Sequence, residues 1–400
     1  MSHLQFIIAQ LGARQHYAIP EAFFKNDALS VFYTDFWVQS RWLSILRHLP
    51  HHYAQKMCGR TNPALKNAPV KNLRLYPTTV KGADQWQRFC QTGKRFAREV
   101  TLQLKKRKND PENEIYFGFT TTSLETLEYW KSLGGKSILD QIDLSAVHYD
   151  IVREEQQQYP GWEDHIIGTP SSDYIQRSSQ EWELASHVLV NSKWCASALI
   201  RQGVAAEKIM VVPQAYGGSI FPKCNYYDGR RNLHVLFLGN VNLAKGAHYL
   251  LQAAEKLTNS TDFYFVGHVH FLEDKIKSAP SNVTFLGAIP PTACDDLWQW
   301  ADVLVFPTLS DGFGIVQLEA MAHGVPVIAT DHCGQVVIDG KNGFVIPTKN
   351  PTAIVEKLEI FVNTPALIKE MSVHAIETLK MFNIDRYYQN VKTLLVGEAK

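Results

Sequence analysis

The chain has 400 residues, 45% of them hydrophobic, and a formal net charge of +1. This length exceeds what one hydrophobic core usually covers, so two domains are expected. The six cysteines are scattered without a Cys-x-x-Cys pair, which argues against a zinc site and a disulfide framework. No apolar run approaches the roughly 18 residues of a membrane span, and the first one is too short for a signal peptide. A soluble, cytoplasmic protein is expected.

The charge is distributed unevenly along the chain. Between Arg41 and Lys108 there are 16 Lys and Arg residues against two acids. Trp and Leu residues are interleaved with these cations, a composition typical of a surface that contacts anionic lipid. We therefore expect the basic region 41–108 to contact an anionic membrane surface, with an ordinary solvated face as the alternative. No nucleic-acid partner is expected, because no nucleic-acid module accompanies the basic region.

Short apolar runs alternate with helical patterns from about residue 232 onward. Each run has four to six residues, rich in Val, Phe and Leu, and they lie at 234–239, 263–267, 283–287, 302–307 and 325–330. Their apolar residues are continuous rather than alternating, as in parallel strands that are covered on both faces. The pattern predicts a doubly wound α/β domain.

The first half shows a similar alternation with more interruptions. Its predicted strands lie at 4–12, 115–119, 136–142 and 186–192. Residues 36–110 are predicted to form a largely helical, basic insertion. We expect an N-terminal Rossmann-like domain over 1–215, a second over 216–382, and a helix over 383–400 that returns to the first domain. The segment 221–232, where Pro, Gly and charges replace periodic patterning, marks the change between them.

Several candidate ligand contacts follow predicted strands, at the edge where open parallel sheets bind ligands. Gly12 follows the first strand, where backbone N–H groups can approach a phosphate, and Arg14 can add a positive charge. In the second half Gly239 ends a strand, and Lys245 follows at a helix start, where it suits a diphosphate. The alternatives are an ordinary tight turn at Gly12 and a solvated Lys245.

The stretch 310–330, SDGFGIVQLEAMAHGVPVIAT, carries the most chemistry. Asp311 to Gly314 are predicted to form a turn before a helix that begins near Ile315. The free N–H groups of a helix start can hold a phosphate or sugar oxygen. Glu319 lies about one turn inside this helix, and a carboxylate can accept both hydroxyl donors of a ribose. The alternative for Asp311 is that it caps the helix.

Together these motifs resemble the retaining glycosyltransferases of family 4, which have the GT-B fold of two facing Rossmann-like domains. The resemblance covers about residues 185–365 and is carried by NSKWCASALIRQGVAAEKIMVVPQ, LGNVNLAKG, FVGH, VTFLGAIP, ADVLVFPTLSDGFGIVQLEAMAHGVPVIAT and DGKNGFVIP. It implies that Glu319 faces the ribose of the nucleotide. It also implies that backbone groups of the turn face the sugar and diphosphate, at Gly312, Phe313, Gly314 and Ile315.

The sequence departs from the family pattern at three places. Asp311 stands where the family usually has a glutamate that faces the donor sugar. The family's diphosphate-binding Arg and Lys would fall at Asn240 and Lys245. Asn240 cannot supply a positive charge, for which Arg14 or Arg231 would have to compensate. Relatives also often have a donor-contacting His after the strand at 136–142, and here the candidates are Gln141 and His148.

The resemblance implies a nucleotide-sugar donor held by the second domain, with UDP as the expected nucleotide, and an acceptor held by the first. Lys245, Asp311 and His148 are the expected catalytic residues. Retention would come from front-face attack, in which the leaving diphosphate takes the acceptor proton. No cofactor and no metal are expected, and the chain contains no Asp-x-Asp triplet of the kind that holds a metal-bound diphosphate.

The acceptor expected beside the basic region is a saccharide or a polyprenyl-linked saccharide, used in surface polysaccharide or glycan biosynthesis at the inner membrane face. Two other readings stay open. The chain could be a nucleotide-sugar-binding module with impaired catalysis, because of Asp311 and Asn240, or a nucleotide-sugar 2-epimerase. A nicotinamide dehydrogenase is disfavoured, since LGARQHY lacks Gly-x-Gly-x-x-Gly after the first strand.

Overall fold

The computed structural model describes residues 4–38, 59–75, 84–290 and 294–397, and it contains two parallel β-sheets. The first sheet has the strand order β3-β2-β1-β4-β5-β6-β7 and the second β10-β9-β8-β11-β12-β13. The first consists of β1 (Gln5–Gln10), β2 (Leu29–Thr34), β3 (Val70–Asn72), β4 (Glu114–Phe119), β5 (Ser137–Gln141), β6 (His187–Val190) and β7 (Ile209–Val211). The second consists of β8 (Leu233–Leu238), β9 (Thr261–Val266), β10 (Val283–Gly287), β11 (Val303–Phe306), β12 (Val327–Thr330) and β13 (Gly343–Ile346).

Helices connect the strands and cover both faces of each sheet. Those of the first domain are α1 (Ala18–Lys25), α2 (Gln85–Lys105), α3 (Leu124–Ser132), α4 (Ala146–Gln158), α5 (Ser172–Leu184) and α6 (Lys193–Arg201). The others are α7 (Ala247–Lys256), α8 (Glu273–Lys277), α9 (Cys294–Trp300), α10 (Val316–Ala322), α11 (Pro351–Asn363), α12 (Ala366–Leu379) and α13 (Ile384–Gly397). The prediction of two doubly wound α/β units is confirmed.

Burial on both sides of each sheet explains the continuous apolar runs in the sequence. In β1, Phe6 and Ile8 contribute to one hydrophobic cluster, and Ile7 and Ala9 to another on the opposite face. Successive side chains of a strand point to opposite faces, so a strand covered by helices on both faces needs apolar side chains at consecutive positions. The second sheet is likewise covered by one cluster on each face.

The prediction that residues 36–110 form an insertion is wrong for the described part of this range, because these residues belong to the doubly wound domain itself. Val70–Asn72 forms the edge strand β3 and pairs in parallel with β2. Helix α2 begins with an Asp84 capping box and buries Phe96, Val100 and Leu104 in the first-domain core. Part of the predicted basic region lies outside the described residues, at 39–58 and 76–83, with Arg41, Arg47, Lys56 and Lys81.

The last helix leaves the second domain and covers the first. Ile384, Tyr387 and Val391 of α13 are buried in the same cluster as α1, and the ring of Tyr388 lies 5.4 Å from the ring of Phe23. The predicted return of the C-terminal helix is confirmed. Across the described ranges, no helix combines the length and apolarity that a membrane span requires.

Candidate active site

The carboxyl ends of the two sheets face one cleft, which contains two adjoining cavities. The narrow cavity, of about 440 Å³, is lined by loops after β5 and β6 and by the turn after β11. The wide cavity, of about 890 Å³, lies between the start of α1 and helices α9 and α10. Gln214 and Ile315 line both cavities, so the two share a wall.

An ion pair between Lys245 and Asp311 lies in the narrow cavity. The Nζ atom of Lys245 contacts Oδ2 of Asp311, and Oδ1 of Asp311 accepts the N–H of Phe313 at 3.1 Å. Lys245 comes from the loop before α7, where its own N–H donates to Oδ1 of Asn242 at 3.0 Å. Asp311 therefore both stabilises the turn and holds the lysine, and Lys245 is aimed into the cleft as predicted.

His148 reaches the same cavity from the first domain. Its Nδ1 lies 2.9 Å from Oγ of Ser310, the residue before Asp311. Burial, followed by the nearby charge of Lys245, lowers the pKa of His148, so the imidazole is neutral at pH 7. The next residue, Tyr149, also lines the cavity, and its ring lies 4.7 Å from that of Trp86.

The glycines of the predicted turn bring the two domains into contact. A Cβ at Gly312 would lie 1.9 Å from the carbonyl oxygen of Ile142 in the first domain. The carbonyl of Gly312 accepts a hydrogen bond of 2.7 Å from Oγ of Ser192, another first-domain residue. Gly314 has φ +75°, and a Cβ there would lie 2.4 Å from the ring of Phe306. A side chain at Gly312 would therefore push the two domains apart, and one at Gly314 would displace the ring of Phe306.

Glu319 lines the wide cavity with a carboxylate that has no hydrogen bond to any described group. Burial raises its pKa, which indicates that a partner for the charge is missing. Gln15 and His16 line the opposite side with left-handed backbones, at φ 49° and 47°. Such strain in non-glycine residues is typical of functional sites. The cavity therefore offers an uncommitted carboxylate where the sequence predicted a ribose contact.

Two predicted site residues bind other protein groups instead, so their predicted contacts to the donor are wrong. Gln141 is buried, its Oε1 accepts hydrogen bonds from Thr120 at 2.6 Å and Trp182 at 3.0 Å, and its Nε2 donates to Asp143. It therefore cannot turn towards a donor. Arg231 pairs with Asp302 at 2.6 Å, at the amino end of the second sheet, so it cannot reach a diphosphate at the opposite edge.

Four other predicted residues lie near the cleft but outside the described lining of both cavities. The N–H of Gly12 already donates to Oδ1 of Asp35 at 2.8 Å. The guanidinium of Arg14 lies 5.3 Å from the ring centroid of Phe119. Gly239 follows β8 with φ +145°, and Asn240 after it is exposed. Among the described residues that line the narrow cavity, Lys245 is therefore the sole Lys or Arg.

The sequence analysis missed several lining residues. Ser310, Tyr149, Asn191 and Gln214 all contribute to the narrow cavity. Asn191 directly follows β6, so the strand-end rule alone could have identified it. The described ranges contain no cluster of three or more His, Cys, Asp and Glu side chains suited to a metal ion.

Residues 232–363 match the family described as Glycosyl transferases group 1. D-inositol 3-phosphate glycosyltransferase of Paenarthrobacter aurescens is 28% identical over 205 residues, which cover 44% of this chain and 48% of that protein. The chain thus spans about half the length of the curated relatives it matches. Sucrose-phosphate synthase of Thermosynechococcus elongatus superposes with a TM-score of 0.65 and 17% identity, over 99% of this chain and 100% of that one. Anabaena HepE, solved with UDP and glucose, gives 0.61 and 16% over the same shares.

The two facing doubly wound domains, with the cleft between them, define a GT-B fold, and the likeness to the whole of these two solved chains confirms it. The match to the Glycosyl transferases group 1 family lies within the second domain, over residues 232–363. The recognition from the sequence is thereby confirmed at the level of a GT-B glycosyltransferase, and family 4 is consistent with it.

Proposed function

We propose that the chain is a retaining hexosyltransferase that moves a hexose from a nucleotide-sugar, with UDP as the expected nucleotide, to a saccharide or lipid-linked saccharide. One observation carries the proposal: Lys245 and Asp311 of the second domain meet His148 of the first in a cleft that also holds the unpaired carboxylate of Glu319. A nucleotide-sugar fits this arrangement, because its negative diphosphate would meet the cation of Lys245 and its ribose hydroxyls would meet the carboxylate of Glu319.

The donor would displace Asp311 from its ion pair with Lys245 and would fill the wide cavity. Its diphosphate replaces Asp311 as the partner of Lys245, which releases the Asp311 carboxylate to accept a sugar hydroxyl. The ribose diol donates to Glu319, whose raised pKa falls again when hydroxyl groups solvate its charge. The UDP and UDP-glucose complexes of HepE, a structural neighbour of the same fold, support a donor of this class.

The reaction breaks the bond between the sugar C1 and the diphosphate oxygen, and forms a bond between C1 and the acceptor oxygen on the same face. The acceptor proton passes to the departing diphosphate. Lys245 stabilises the charge that grows on the leaving group, where a pre-placed cation is most effective. In this proposal neutral His148 would hydrogen-bond the sugar, and the domain contacts at Gly312 would help to keep water away from the reacting atoms. We propose that this reaction uses neither a metal ion nor a cofactor.

Nucleotide binding in the cleft tests the donor proposal. Thermal shift and calorimetry would compare UDP, GDP, ADP and their glucose, galactose, mannose and GlcNAc conjugates on wild type and Glu319→Ala. We expect selective stabilisation by one nucleotide and a loss of about tenfold or more in affinity in the variant, as when a charged hydrogen-bond acceptor is removed. Binding of no nucleotide would contradict the proposal. Tight binding without transfer to any acceptor would favour the impaired-module reading.

We further propose that an anionic membrane at the cytoplasmic face presents the acceptor. The exposed face of α2 carries basic side chains, and between them Leu102 is 49% exposed. The basic residues on it include Arg88, Lys94, Arg98 and Lys105. The buried Trp86 at the start of this helix contacts Tyr149, which lines the narrow cavity. A surface that attracts anionic lipid would thus lie next to the cleft.

Vesicle co-sedimentation tests the membrane proposal. Lys94→Glu with Arg98→Glu should weaken binding to phosphatidylglycerol-containing vesicles by at least about tenfold, since each basic residue near such a surface contributes about 1 kcal/mol. Lys256→Glu with Lys369→Glu, which changes the net charge equally on exposed second-domain helices, is the matched control. Equal binding by both variants, or binding insensitive to salt, would contradict the proposal.

A further inference from the structure

Helix α4 belongs to the first domain, but it contacts the second through a fully buried carboxylate. Glu155 has no exposed surface. Its Oε1 accepts hydrogen bonds from Nε2 of His248 at 2.8 Å and from the hydroxyl of Tyr249 at 2.6 Å, and its Oε2 lies 2.7 Å from Nζ of Lys349. All three partners are second-domain residues. A buried carboxylate is costly unless it is paired, so these contacts hold α4 against α7.

The charge states of this cluster follow from its contacts. Burial alone would raise the pKa of Glu155, but hydrogen bonds from His248, Lys349 and Tyr249 outweigh it and leave the pKa below its usual range. Burial lowers the pKa of His248. Near pH 7 the carboxylate is therefore ionised and the imidazole neutral, so Lys349 is the cation that balances Glu155.

A second carboxylate crosses the domain interface after the end of α4. Oε1 of Glu163 accepts the backbone N–H of Leu243 at 2.7 Å, and its Oε2 accepts Nε2 of Gln156 at 2.7 Å. The N–H of Leu272, in the second domain, donates to the carbonyl of Trp162 at 2.8 Å. The segment after α4 is therefore attached to the loop between β8 and α7 by the Glu163 carboxylate, and to the residue before α8 by a main-chain hydrogen bond.

Lys245 lies between these two attachment points, because Leu243 precedes it and His248 follows it. We propose that Glu155 and Glu163 are positioning residues for Lys245: from the first domain they hold both sides of the second-domain loop that presents its ammonium to the donor diphosphate. This inference rests on the proposed function, since it takes Lys245 as a diphosphate ligand. It makes the affinity for a diphosphate depend on two carboxylates that do not touch the ligand.

The test separates binding of the diphosphate from binding of the rest of the nucleotide. Calorimetry would compare UDP with UMP, or the corresponding pair for GDP or ADP if the wild type selects another base. In Glu155→Gln and in Glu163→Ala we expect affinity for the diphosphate to fall about tenfold and for the monophosphate less than about threefold, as for one displaced charged contact. In a Lys245→Ala background neither change should cause a further loss. Glu163→Gln keeps an acceptor for the Leu243 N–H but loses the one for Gln156, so it should lose less diphosphate affinity than Glu163→Ala.

Glu154→Gln is the matched control, because Glu154 is on the same helix, its side chain is 73% exposed and it lies 3.7 Å from Lys349. It should behave as wild type. An equal loss for both ligands, or a loss that persists in the Lys245→Ala background, would overturn the inference in favour of a merely structural role. If Glu155→Gln does not fold, the variants Glu163→Ala and Glu163→Gln test the inference on their own. If the wild type binds no nucleoside diphosphate, the proposed function fails first, and the inference with it.

Discussion

The Nδ1 atom of His148 lies 2.9 Å from the Oγ atom of Ser310, and this contact joins the two domains at the narrow cavity. His148 lies at the start of α4 in the first domain, and Ser310 directly precedes Asp311. Asp311 in turn holds Lys245. The contact therefore links the first domain to the charged pair on which the proposed donor chemistry depends.

Removing either partner of this contact should slow the reaction. We expect His148→Ala and Ser310→Ala each to lower kcat by about tenfold, the usual effect of one hydrogen bond that positions a reacting group. Since both substitutions break the same link, the double variant should be no slower than His148→Ala. Steady-state turnover of the donor measures all three, and additive losses would show that the two side chains act separately.

The close approach at Gly312 predicts that even one added methyl group is harmful. In Gly312→Ala the new Cβ would lie 1.9 Å from the Ile142 carbonyl oxygen, so one domain must shift. We expect a loss of about 1–3 kcal/mol in the free energy of unfolding, the usual cost of overpacking. Gly168→Ala is the control, because a Cβ there meets nothing within 4 Å. Urea denaturation that shows the two variants to be equally stable would contradict the packing argument.

A buried charge cluster at the opposite edge of the second sheet should affect stability without affecting the site. Asp302 lies 3.1 Å from Nζ of Lys223 and 2.6 Å from Arg231, and Lys223 and Asp302 are both buried. Asp302→Asn leaves the Lys223 charge uncompensated, which should cost about 3–5 kcal/mol. Nucleotide affinity below the unfolding temperature should not change. Asp228→Asn, in an exposed pair with Arg230, should stay within about 0.5 kcal/mol of wild type.

Asp140 should make the stability of the protein depend on pH. Burial raises its pKa from 3.8 to about 7, although Arg14 acts in the opposite direction. The folded chain therefore holds this proton more tightly than the unfolded chain, and folding becomes less favourable as the pH rises from about 4 to about 7. Asp140→Asn removes this ionisation, so its stability relative to wild type should increase by roughly 2–3 kcal/mol between pH 5 and pH 8.

Urea denaturation at the two pH values measures this difference. The exposed Asp164→Asn serves as the control and should show no such trend. A difference between Asp140→Asn and wild type that stays constant from pH 5 to pH 8 would mean that Asp140 titrates alike in the folded and unfolded chains.

Local sequence patterns predicted much of the fold because they depend on local physics. The strands at 303–306 and 327–330 lie where continuous apolar runs predicted them. Strand β2 was missed even though LSVFYT is rich in β-branched and aromatic residues, and β3 was missed because its three residues have only intermediate or exposed side chains. A short edge strand is defined by its pairing rather than by its composition.

The sequence predicted Lys245 and Asp311 from their positions after strand ends, although it missed Asn191 at another strand end. It also missed side chains that pair over long distances. The meeting of Lys245 with Asp311 follows from the common edge of parallel strands. By contrast, nothing near Gln141 in the sequence indicates that Trp182 and Thr120 will occupy its amide. The partners of Glu155 lie far along the chain and in another domain, so no periodicity could have revealed them.

The central claim is that the cleft releases a nucleoside diphosphate from a nucleotide-sugar with the help of Lys245. The most direct measurement follows UDP release from UDP-hexoses, first without acceptor and then with lipid-linked saccharide acceptors, for wild type and Lys245→Ala. We predict release by the wild type that increases with acceptor, and release slower by about 100-fold in the variant, as when a charge-stabilising group is lost. Wild-type protein that binds the nucleotide but releases no more UDP than Lys245→Ala would contradict the account.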